Sequence, residues 1–181
     1  MFLNKNETVS NELLTPEGLC SLIQREYHPS ISESCRKIEE FLLTSQYGKD
    51  ISIPLSELIH LIFMKLNDEI KHFFLKESGI IFPSIKKQEK GKSGKDAAQH
   101  ETHAHLLPPA ALESIHQRQQ VITNLLQKLR HLLQDYNIQP EWHQDWKECV
   151  NEMFELETKV YHWIHIEGSL LYPLITSKLR H

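Results

Sequence analysis

The sequence predicts an all-α protein, an up-and-down four-helix bundle assembled from two helix hairpins, and three observations predict it. Apolar residues recur at helical spacing in four long stretches. Short turns separate the first stretch from the second and the third from the fourth, which favours antiparallel neighbours. The second and fourth stretches end in matching segments: His72-Phe73-Phe74-Leu75-Lys76-Glu77-Ser78-Gly79-Ile80-Ile81-Phe82-Pro83 aligns without a gap on His162-Trp163-Ile164-His165-Ile166-Glu167-Gly168-Ser169-Leu170-Leu171-Tyr172-Pro173.

The first helix opens at Thr15-Pro16-Glu17 and carries Leu19, Ile23, Tyr27, Ile31, Cys35, Ile38 and Leu42 on one stripe, ending near Tyr47-Gly48. Pro29 removes a backbone donor, so a kink is expected beside His28. Ser56 is placed to cap the second helix, whose stripe runs Ile59, Phe63, Leu66, Ile70, Phe73, Glu77 and Ile81 up to Pro83. The Lys-rich, Gly-containing composition that follows reads as a mobile linker at about 86–108. Pro109 opens the third helix, with Leu112, Ile115, Gln119, Ile122, Leu126, Leu129 and Leu133 inward. The fourth begins at Glu141 and carries Trp146, Val150, Met153, Leu156, Val160, Trp163, Glu167 and Leu171. The expected organisation is a single domain over residues 1–181.

Composition excludes several function classes. A net charge of -4, from 20 basic and 24 acidic residues, offers no field for a phosphate backbone, so no nucleic-acid partner is expected. The longest apolar run, near Leu58 to Met64, is broken by His60, and the amino terminus has no apolar leader, so neither membrane insertion nor secretion is expected. Cys20, Cys35 and Cys149 form no Cys-x-x-Cys pattern, which fits a reducing cytoplasm, with Cys35 as a small core residue. There is no nucleophile triad order, phosphate-cradling loop or nucleotide fingerprint, and enzymatic activity stays open.

Histidine is the compositional oddity, with 12 in the chain. Each hairpin sets a Glu into an apolar stripe, Glu77 and Glu167, and each carries a histidine on its first helix about 50 residues earlier, His28 and His116. An inward carboxylate is costly unless it is paired or bound to a metal. Inward Glu and His side chains from four helices can bridge two irons, leaving positions open for a small ligand such as dioxygen or nitric oxide. His72 and His162 stand five residues before each Glu, which turns them about 140° away on a regular helix, so ligation by them requires a π-bulge. His100, His103 and His105 form a separate tract, read as linker, with surface metal binding as the alternative.

These motifs resemble the hemerythrin-like domains, and more closely the iron-sulfur cluster repair proteins, over about Leu13 to Leu179. Glu26-Tyr27-His28 resembles the family's first-helix histidine motif, and Ile115-His116 resembles its third-helix histidine. Lys76-Glu77 through Ile81-Phe82-Pro83 and Ile166-Glu167 through Leu171-Tyr172-Pro173 resemble the ends of the other two helices. The resemblance implies a non-haem di-iron centre on His28, Glu77, His116 and Glu167, and a role in oxidative or nitrosative stress or in repair of iron-sulfur clusters, as a monomer or homodimer. The chain departs from the family where its histidine stands four residues before each Glu: those positions hold Phe73 and Trp163. A metal-free or single-metal bundle, acting as a sensor or interaction module, is the alternative expectation.

Overall fold

The computed structural model describes residues 15–44, 50–91 and 107–177, all of it helix and short turns. Helix α1 (Pro16–Leu22) runs through a π-helical segment, Ile23–Tyr27, into α2 (His28–Thr44). Helix α3 (Ile53–Lys76) continues through Glu77–Ile81 into α4 (Phe82–Gly91). After α5 (Pro109–Leu132), α6 (Gln144–Ile166) continues through Glu167–Leu171 into α7 (Tyr172–Ser177). These make four long rods in a four-helix-bundle arrangement, with the closest packing between α3 and α5 and between α2 and α6.

Local chemistry sets the starts. Thr15 Oγ1 accepts the Gly18 amide at 3.0 Å, capping α1 where Pro16 needs no donor. Pro54 sits in the first turn of α3 and Pro109 opens α5, for the same reason. Two expectations shift. Ser56 is not the cap of α3; Ser52 holds that position, and the Ser56 hydroxyl instead donates to the Ile53 carbonyl at 2.8 Å. Helix α6 starts at Gln144 rather than Glu141, because Gln134, Asp135 and Tyr136 take positive φ in succession and the chain from there to His143 is used in reversing direction.

Prolines that were expected to end or kink helices are absorbed differently. Each π-helical segment stops two residues before a proline: Tyr27 before Pro29, Ile81 before Pro83, Leu171 before Pro173. A proline ring crowds the carbonyl four residues back and offers it no hydrogen. Widening the preceding turn to an i to i−5 bond, as from the Phe82 amide to the Glu77 carbonyl, relieves that conflict while the rod continues. The second helix therefore runs past Pro83 to Gly91, so the first residues assigned to a linker, 86–91, are helical. Residues 92–106, with His100, His103 and His105, lie outside the described residues.

The core is built from the stripes read in the sequence, including Phe63, Leu66, Ile70, Ile122, Leu126, Val150, Met153 and Val160. Cys35 is buried as a small core residue, and burial pushes its thiol up to about 12, which makes it a poor nucleophile. Among the described residues no helix is long and apolar enough to cross a membrane.

Candidate functional site: a buried carboxyl pair

Glu77 and Glu167 stand where α3 and α6 end, each the first residue of a π-helical segment, and neither carries any solvent-exposed surface. Their stripes point them inward, and the up-and-down topology brings both to one end of the bundle. His28, at the start of α2, reaches the same place from the first rod. Its Nε2 lies 2.7 Å from Glu77 Oε2. On the other side the Gln119 amide of α5 donates to Glu167 Oε2, also at 2.7 Å. The two contacts are counterparts: His28 stands 49 residues before its Glu and Gln119 stands 48 before its own.

Electrostatics follow from burial. Glu77 is held well above the usual carboxyl range, first by loss of water and then by the negative charge of Glu167 and the hydrogen bond it makes to that group. Glu167 is also raised by burial, an effect opposed by the polar groups turned toward it, the Gln119 amide among them. Glu77 is the more strongly raised of the two, and the pair holds one proton between its members. Like carboxyls in contact cannot both ionise, so they titrate as a unit. His28 is lowered to about 4 by burial and is neutral, and its Nε2 donates to Glu77 Oε2 in the tautomer that carries the hydrogen there. Its ring stacks on Phe74 at 3.8 Å between centroids.

The sequence-predicted residues divide into two groups. His28, Glu77 and Glu167 come together. His116 does not: it is exposed on α5, with its ring 6.3 Å from that of Tyr172, and Gln119, one helical turn on, takes the inward place. His72 and His162 are exposed as well, and His72 is within hydrogen-bonding distance of the Asp68 carbonyl at 2.8 Å. The π turns lie after each Glu instead of before it, so α3 and α6 are regular between each His and its Glu and both imidazoles stay turned away. Phe73 and Trp163 fill the interior beside the carboxyl pair, 5.2 Å apart edge to face.

Gln119 is the residue that sequence reasoning missed as part of this centre. Its signal was present: an amide in an otherwise apolar stripe, three residues after the histidine chosen. A buried amide needs partners as a carboxylate does, and each solves the other's requirement.

Two irons do not fit this donor set. One imidazole, two carboxyls and an amide leave most positions of an iron pair without protein ligands, and the amide points its hydrogens at Glu167. Among the described residues no group of three or more His, Cys, Asp or Glu side chains is arranged to hold a metal ion. No protein-family model matches the chain, and no curated protein matches it either.

Proposed function

We propose that this chain is a hemerythrin-like bundle in which a shared proton occupies the place of the metal pair, and that it acts as a metal-free binding or sensing module instead of a redox enzyme. The observation that supports it is Gln119. A metal site needs lone pairs aimed at one point, whereas the centre is organised as donors meeting acceptors, His28 to Glu77, Glu77 to Glu167 and Gln119 to Glu167. Phe73 and Trp163 support the same reading by taking the space that histidines would need. Dioxygen or nitric oxide chemistry and cluster repair, the roles implied by the resemblance, are assigned no step here.

A second reading has one observation in its favour. Among the described residues no donor reaches the buried Glu77 Oε1 and Glu167 Oε1, so a single divalent cation held by His28, Glu77 and Glu167 competes with the shared proton for that position. Anaerobic calorimetric titration with ferrous iron, manganese and zinc, paired with melting curves, separates the two. The metal-free reading expects no saturable heat and an unchanged melting temperature. One metal per chain with a rise in melting temperature selects the cation reading, since a ligand of the native state alone must stabilise it.

A further inference from the structure

At the end of the bundle away from the carboxyl pair, a cleft of about 400 Å³ opens between the start of α3, the end of α5 and the turn leading into α6. From Ile59 in its floor to Glu77 is roughly 27 Å along α3, so the two sites share no residue. The volume falls in the range of small-molecule sites. Ile59, Leu133 and Trp146 make a buried floor, and Leu55 and Trp142 make half-buried walls, so the interior is apolar and aromatic. Gln134 belongs to a run of three residues held at positive φ, a constraint that fixes the shape of its side of the cleft.

Among the described residues the charged groups that line the cleft are acidic, while Lys147, whose ammonium donates to the Pro140 carbonyl at 2.6 Å, acts on Asp50 from outside it. The lining groups are Asp50 and Glu141, and among the described residues no Lys or Arg lines the cleft. His143 contacts Asp50 through its backbone amide and its ring, at 3.1 and 2.9 Å, and both contacts fall on the same oxygen, Oδ1, leaving Oδ2 for another donor. Burial works to raise the Asp50 carboxyl, but these contacts and the nearby charge of Lys147 outweigh it and hold the group below the usual range. An aromatic face beside unspent carboxylate is the pairing that recognises an ammonium group, by charge and by attraction to the ring.

We propose that this cleft is a binding site for a small organic amine, with the ammonium between Glu141 and Asp50 and a flat or aliphatic body against Trp142 and Leu55. The site stands independently of how the carboxyl pair is read. It also carries its own reporter, because Trp142 and Trp146 line it while Trp163 lies at the other end.

The test is titration of the full chain with phenethylamine and with 3-phenylpropionate, an aryl-alkyl body of similar size and opposite charge, followed by tryptophan fluorescence and calorimetry. Phenethylamine is expected to saturate in the submillimolar to millimolar range and to bind at least about tenfold more tightly than the carboxylate. E141Q, at an exposed position, is expected to weaken the amine several-fold without changing the melting temperature, and W142A to weaken it further and remove most of the fluorescence response. No saturable binding of phenethylamine up to about 10 mM overturns the proposal. So does equal or tighter binding of the carboxylate, or an amine affinity unchanged by E141Q.

Discussion

Glu77 and Glu167 are paired at a place without solvent, where burial and the neighbouring carboxylate hold Glu77 well above the usual carboxyl range, and each has a neutral partner behind it, His28 for the first and Gln119 for the second. The arrangement carries one negative charge where two would be prohibitive. Replacing Glu77 by its uncharged amide should therefore be nearly silent. In E77Q the amide NH₂ donates to Glu167 and its carbonyl accepts from His28, so stability at neutral pH should stay within about 1 kcal/mol of the parent. E77A removes the donor, strands a buried carboxylate and leaves a void, and should cost about 3 kcal/mol or more. Urea unfolding monitored by circular dichroism checks both values.

The pair also gives stability a dependence on pH whose sign is fixed. Glu77 has a raised carboxyl in the fold, so its contribution is complete below the ordinary value of 4.5 and is lost as pH rises through the folded value. His28 works in the opposite sense: lowered from 6.5 to about 4, it favours the fold when neutral, and that contribution is lost as pH falls through this interval. Between 4.5 and 6.5 the two oppose each other. Above 6.5 the carboxyl term stands alone, and the melting temperature should fall as pH rises. Melting curves of E77Q should be flatter than the parent's above 6.5, should rise more steeply with pH between 4.5 and 6.5 where His28 is left unopposed, and should keep the parent's slope below 4.5. An equal alkaline slope in both proteins would exclude the shared proton as its cause.

Much of the bundle was legible because burial repeats every three to four residues. The stripes named from the sequence form the core, and Glu77 and Glu167, the acidic members of the α3 and α6 stripes, are fully buried. The third-helix partner was less legible. His116 and Gln119 lie one turn apart, and a histidine draws attention that a glutamine does not, although the stripe itself pointed to position 119. The helix ends were misread for another reason. In the sequence Pro83 reads as a stop, whereas widening the turn ahead of it, as also happens ahead of Pro29 and Pro173, lets the rod continue. That spacing is visible only when hydrogen bonds are followed residue by residue.

Two glycines in those widened turns offer a direct gain. Gly79 and Gly168 have helical backbone with negative φ, and a methyl group added at either meets nothing within 4 Å. Alanine there restricts the unfolded chain without disturbing the fold. G79A and G168A should each stabilise by about 0.5–1 kcal/mol, a rise of about 1–4 °C in a protein of this size. Differential scanning calorimetry on the single and double variants checks the gain and its additivity. A loss at either position would mean that the π-helical turn depends on glycine for its shape.

The strongest test of how this centre departs from a metal site is to restore what it lacks. Phe73 and Trp163 are buried four residues before Glu77 and Glu167, so histidines there would share a face with each carboxylate, and a histidine at 119 would oppose Glu167 as His28 opposes Glu77. Without metal, F73H/Q119H/W163H should lose about 3 kcal/mol or more, because two large aromatic side chains give way to smaller polar ones in a packed interior. With ferrous iron under anaerobic conditions it should regain stability in proportion to the logarithm of iron concentration, about 2.7 kcal/mol at a hundredfold excess over its dissociation constant. The parent should show no such dependence. Iron-dependent stabilisation of the parent to the same extent would mean that His28, Glu77, Glu167 and Gln119 already suffice for metal, and the proton would then be a placeholder for a cation.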